Sequence, residues 1–136
     1  MRLLKYTLLA LYTLLITYVS LANDSSPNAT LPDLDSYGIP NLDKMAHAGA
    51  YALFIVIAMM SFGIKRRITI AIAVLFFGVI LELLQAWVPL REPSLADFIA
   101  DAVGVLLGIL LIHGLSVLPQ SRFTAIIALC LENNSK

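Results

Sequence analysis

Glu82, Asp97 and Asp101 lie within or at the edge of long apolar runs, and Asp43 and His47 head another. Carboxylates beside an imidazole are what general acid–base chemistry uses, and the same groups hydrogen-bond hydroxyl and amine ligands. Lys44 and Arg91 supply cations suited to phosphate, while Tyr51, Gln85 and Ser94 supply neutral donors and acceptors. The candidate binding set is therefore Asp43, Lys44, His47, Tyr51, Glu82, Gln85, Arg91, Ser94, Asp97 and Asp101, with His47, Glu82 and Asp101 the candidates for catalysis. There is no activated serine or cysteine nucleophile, because Ser94 has a capping position and Cys130 lies in the tail. One histidine with two or three carboxylates could hold a divalent ion. No tight metal-ligand spacing is present, so neither a metal nor another cofactor is expected.

Charges inside apolar runs are costly if those runs cross a membrane, which makes them candidates for function. Composition points that way: 60% of the residues are hydrophobic and 13% are charged, the latter about half the share of a globular domain. With a mean hydropathy of +0.88, so much apolar surface has no core to hide in. A net charge of zero argues against nucleic acid as a partner, and a single cysteine excludes an intrachain disulfide.

The apolar runs predict helices over about 6–22, 42–63, 68–88 and 94–118, separated by turn-forming and basic segments. The first run also has the look of a signal peptide, but a retained helix is the reading adopted. Arg2, Lys5, Lys65, Arg66, Arg67, Arg122 and Lys136 fall on one side of these spans, Lys44 and Arg91 on the other. The positive-inside rule then makes both termini cytoplasmic and the loops 23–42 and 89–94 extracytoplasmic. The expected fold is an all-α membrane protein in the cytoplasmic (inner) membrane, a four-transmembrane-helix bundle with a short C-terminal interfacial segment. Its parts are a first helix (1–22), an extracytoplasmic loop (23–42), a three-helix core (43–118) and a cytoplasmic tail (119–136).

Helical spacing gathers the polar groups on faces. Ser94, Asp97, Asp101, Gly104 and Gly108 recur at intervals of 3, 4, 3 and 4; Gly78, Glu82, Gln85 and Pro89 at 4, 3 and 4; Asp43, His47, Ala50, Phe54 and Ala58 at 4, 3, 4 and 4. Glu82 and Asp101 should each sit roughly 10 Å below the outer boundary. Three helices thus bring polar groups to one depth, with Gly78, Gly104 and Gly108 below them as helix-packing positions. Ser94 reads as an N-cap, with Asp97 placed to reach back to it. Capping does not account for Glu82 and Asp101, which lie inside helices.

These residues carry a resemblance. Asp43-Lys44-Met45-Ala46-His47 with Tyr51, then Glu82-x-x-Gln85, then Pro89-x-Arg91-x-x-Ser94-x-x-Asp97 and Gly104-x-x-x-Gly108, resemble the VanZ-like family of small bacterial membrane proteins over roughly residues 38–112. The family pattern has asparagine four residues after the aspartate, where this chain has Asp101. The resemblance implies a link to low-level resistance to teicoplanin, a lipid-bearing glycopeptide acting at the outer face of the cytoplasmic membrane. It implies no established mechanism.

Three functions fit. The first is an outward-facing polar pocket that binds an envelope lipid headgroup, a cell-wall precursor or a membrane protein partner, with Arg91 and Lys44 on phosphate. The second is a small membrane enzyme, with His47 as acid or base, Asp43 or Asp101 orienting it and Arg91 steadying negative charge on a lipid-linked substrate. The third is a subunit of a proton-coupled transporter. Membrane lipids are partners in all three.

Overall fold

The computed structural model describes residues 2–22, 37–88 and 94–117. Among them are four α-helices and no strand: α1 (Arg2–Leu21), α2 (Leu42–Phe62), α3 (Arg67–Gln85) and α4 (Leu95–Val117), with a 3-10 turn at Ile64–Arg66. Four spans are long and apolar enough to cross a bilayer, of 19, 21, 22 and 22 residues in chain order, the third taking in the 3-10 turn together with α3. The protein is a multi-pass membrane protein of all-α class. The expected C-terminal interfacial segment, Arg91, Glu92 and Cys130 lie outside the described residues.

Two boundaries differ from the hydropathy reading. α1 begins at Arg2 rather than near residue 6, because Arg and Lys are good helix formers and an apolar window cannot register the turn that carries them. α3 ends at Gln85 rather than Val88: Trp87 and Val88 donate to the carbonyls of Leu84 and Gln85 at 3.1 and 2.9 Å, a tightening turn ahead of Pro89, whose ring disfavours helix in the residue before it.

The turn between α2 and α3 depends on Gly63. Its φ of +90° lies where only glycine is at ease, and its N–H closes α2 on the Met59 carbonyl at 2.8 Å. The chain then reverses through exposed Lys65 and Arg66. This basic turn lies at one end of the bundle, and the starts of α2 and α4 with the end of α3 lie at the other.

α2 is the central helix, in contact with all three others. Lipid tails are as apolar as a bundle interior, so close packing and interhelical hydrogen bonds must hold these helices together. The α2–α4 crossing is the closest. A Cβ added at Gly104 would run into the Ala48 carbonyl, 2.9 Å from its carbon, and one at Gly108 would lie 2.5 Å from the Ala52 carbonyl oxygen. Gly104 and Gly108 are thus packing positions, as the sequence suggested, but their partners are Ala48 and Ala52, which lie off the Asp43–His47–Ala50 stripe.

α1 is fastened by polar ties as well as by buried Ile16. The Tyr12 hydroxyl donates to the Ala50 carbonyl at 2.9 Å, Gln85 Nε2 to the Ser20 carbonyl at 2.8 Å, and Ser61 Oγ to the Lys5 carbonyl at 3.2 Å. Phe54 on α2 joins three helices, with ring centroids 5.9 Å from Tyr12, 6.1 Å from Tyr51 and 5.6 Å from Phe77. Leu11, Ile72, Phe76, Ile99, Leu106 and Leu110 face outward, an apolar belt suited to lipid.

Candidate functional site

The polar groups gather where α2 and α4 begin and α3 ends, in two layers. The layer nearer the helix ends is an ion network. Lys44 Nζ lies 2.5 Å from Asp43 Oδ2 and 3.3 Å from Asp97 Oδ1, with all three side chains partly exposed. Lys44 is thereby held between two carboxylates.

The deeper layer is drier. Asp101 is 1% exposed and Glu82 8%. Asp101 Oδ1 pairs with His47 Nδ1 at 2.9 Å. The Tyr51 hydroxyl also approaches Asp101, and Gly78 makes room for both: a Cβ there would lie 3.0 Å from the Tyr51 oxygen and 3.1 Å from Asp101 Oδ2. Gly78 was expected to admit a neighbouring helix backbone. It instead admits a hydroxyl and a carboxylate, because α3 faces Tyr51 and Asp101 at this level.

Glu82 corrects the reading that capping cannot account for it. Its Oε2 accepts the backbone N–H of Ser94 at 2.8 Å, so a residue inside α3 caps the start of α4. Ser94 Oγ in turn accepts the Asp97 N–H at 3.3 Å, as an N-cap does. In a capping box Asp97 would take the Ser94 N–H. Here Glu82 takes it, and Asp97 is left to pair with Lys44. Spacing along one helix could not reveal a cap supplied by another.

Of the ten candidate binding residues, eight meet here: Asp43, Lys44, His47, Tyr51, Glu82, Ser94, Asp97 and Asp101. Gln85 is buried but turned to α1 through its bond to Ser20. Arg91 lies outside the described residues. Glu82, Ser94, Val79, Leu83, Leu95 and Phe98 line a cavity of about 240 Å³ between α3 and α4. Its walls are apolar except where Glu82 and Ser94 contribute. His47, Glu82 and Asp101 each offer one metal-ligand atom, all within 4.8 Å of one another. The expectation of no metal rested on spacing within the chain, which says little when ligands come from three helices.

The VanZ/LLP1 family model matches residues 4–118. The chain belongs to the VanZ/LLP1 family. The match takes in α1, apart from its first two residues, as well as the stretch 38–112 that carried the resemblance, so the four described helices of this VanZ/LLP1 protein fall within it. No curated protein and no solved structure matches the chain. Within the VanZ/LLP1 frame the departure at Asp101 acquires a physical setting. An asparagine there could still hydrogen-bond His47 and Tyr51, but only aspartate can bring a charge to a position 1% exposed.

Proposed function

We propose that this VanZ/LLP1 protein binds an envelope lipid or lipid-linked precursor, whose chain lies against the apolar belt and whose headgroup enters the cleft between α3 and α4. The cavity ending at Glu82 and Ser94 is the observation that supports this most directly. Its shape suits an amphiphile: Leu83, Leu95 and Phe98 for the acyl portion, a carboxylate and a helix N-terminus for the polar end. The headgroup is one that brings hydrogen-bond donors, hydroxyl or ammonium, to Glu82. Phosphate is the poorer fit to the described residues, since Lys44 is occupied by Asp43 and Asp97. The family link to teicoplanin resistance is in keeping with a ligand of the envelope.

The cleft is assigned to the outer half of the cytoplasmic membrane, with both termini inside. The support is charge bias: Lys65 and Arg66 turn at the far end of the bundle, and the end bearing the polar cluster has Lys44 held by carboxylates. Cysteines at positions 39 and 66, both exposed, test this in a Cys130→Ser background. An impermeant thiol reagent added to intact cells should label Ile39→Cys and spare Arg66→Cys. The reverse pattern turns the protein over.

Native mass spectrometry of protein extracted from bilayers rich in phosphatidylethanolamine tests the ligand reading. Wild-type protein should retain that lipid in preference to phosphatidylcholine, whose quaternary ammonium has no hydrogen to donate. Leu95→Trp, which fills the cleft, should lose the preference. Glu82→Gln should keep most of it, since the amide oxygen still accepts hydrogen bonds, whereas Glu82→Ala should lose it along with a cap worth about 1 kcal/mol. Equal retention of both lipids by wild type and Leu95→Trp would remove the cleft from the argument.

A second reading is favoured by the His47–Asp101 pair at 2.9 Å. A carboxylate that orients an imidazole is half of a general acid–base device, and Glu82 nearby could be its second proton-carrying group. Glu82→Gln separates the readings: it should preserve binding and abolish such chemistry.

A further inference from the structure

Two carboxylates lie side by side in the dry layer, and the described residues supply them with an incomplete counter-charge. Lys44 is taken by Asp43 and Asp97. His47 can balance Asp101, but among the described residues Glu82 receives a backbone N–H from Ser94 and no cation. Two carboxylates with a neutral imidazole carry a charge of about −2, which a dication cancels and a partly dry site otherwise tolerates poorly.

We propose that His47, Glu82 and Asp101 form a site for one divalent transition ion of the Zn²⁺ or Mn²⁺ class. The proposal rests on the reading of Glu82 as the polar end of the ligand cleft. Geometry supports it. Each residue offers one donor atom, all within 4.8 Å of one another, from three helices that fix them independently. The His47 Nδ1 to Asp101 Oδ1 spacing is 2.9 Å. Two ligands of an ion with bonds of about 2.1 Å stand about 3.0 Å apart at right angles and about 3.4 Å apart at the tetrahedral angle of Zn²⁺, so the His47–Asp101 pair is close to the span an ion needs once it replaces the shared proton, while any separation in the cluster above about 4.2 Å must close for all three to bind. One nitrogen and two carboxylate oxygens select a borderline first-row ion; Ca²⁺ and Mg²⁺ prefer oxygen alone. Glu82 also lines the cleft, so an ion held there would stand beside an entering headgroup. Hydroxyl or unprotonated amine groups there would become ligands to the ion through their lone pairs, whereas an ammonium group has none and would bind Glu82 only in the metal-free site.

The test uses the full chain in detergent, stripped with chelator, loaded with Zn²⁺ or Mn²⁺ alone, desalted and analysed for metal. Wild type should retain about one ion per chain and gain thermal stability from it. His47→Ala, Glu82→Gln and Asp101→Asn should each weaken binding by more than about 10-fold, while His113→Ala, exposed on α4, should bind as wild type. Co²⁺ loaded into wild type should give visible d–d absorption altered by nitrogen ligation, a readout independent of whether any variant folds. Wild type that retains no ion, or a His47→Ala protein that folds and binds undiminished, overturns the proposal. Failure of the ligand reading shows separately: Leu95→Trp would then leave lipid retention unchanged whatever the metal content. Metal loss with intact lipid preference would sink the ion alone.

Discussion

Gly104→Ala is expected to destabilise the protein more than any other single methyl addition to a described helix. The new Cβ would meet the carbonyl of Ala48, which is backbone, so no side chain can swing aside. α2 and α4 must separate, and the cost of such overpacking is about 1–3 kcal/mol, against the roughly 1 kcal/mol that alanine returns in helix propensity. Separation also draws His47 away from Asp101, since those residues ride on the same two helices a turn or so away. Gly104→Val should prevent the bundle from forming. Gly49→Ala and Gly114→Ala are the comparison, for nothing lies within 4 Å of a Cβ at either, and both should unfold at or slightly above the wild-type temperature. Thermal unfolding in detergent, followed by circular dichroism, measures all of these. A Gly104→Ala protein as stable as Gly49→Ala would mean that the two backbones do not meet.

The dependence of a polar pair on a small-residue crossing explains what was legible in the sequence. Charge share, apolar runs and helical spacing are local properties, and they suffice for four spanning helices and for polar groups at one depth. Asp101, His47 and Glu82 could be singled out because a carboxylate in an apolar run has few innocent explanations. Partners are not local. Ala48 and Ala52 look like ordinary helix formers until Gly104 and Gly108 lie against them. Gln85 sits at the right spacing to join Glu82, yet the angular difference of three residues is enough to turn it toward Ser20 on α1. The cap that Glu82 supplies to Ser94 joins positions twelve residues apart across a connection containing two prolines, and no periodicity encodes it. One signal was available in retrospect. A carboxylate just below the end of one helix, followed closely by a serine N-cap, can satisfy that helix start from outside.

His47→Ala is the second large effect, and it bears on why a charge sits so deep. Removing the imidazole leaves Asp101, 1% exposed, with the Tyr51 hydroxyl as its polar partner among the described residues and the Glu82 carboxylate nearby, and losing one partner of a buried pair costs about 3–5 kcal/mol. Asp101→Asn should cost far less, because the amide still bonds its neighbours and brings no charge to stabilise. In the double variant the neutral asparagine no longer needs the imidazole, so His47→Ala/Asp101→Asn should be more stable than His47→Ala alone. That reversal is the mark of coupling through charge rather than of two independent packing losses. The outer network offers the contrast. Lys44 is partly exposed between Asp43 and Asp97, and Lys44→Met should change stability by no more than about 1 kcal/mol, with an effect that shrinks in salt. Unfolding midpoints of the four proteins of the His47–Asp101 cycle, measured in one detergent, decide the matter. Effects that add to within about 0.5 kcal/mol would show that imidazole and carboxylate are neighbours without being partners. The aspartate at this position would then have no physical claim on the histidine.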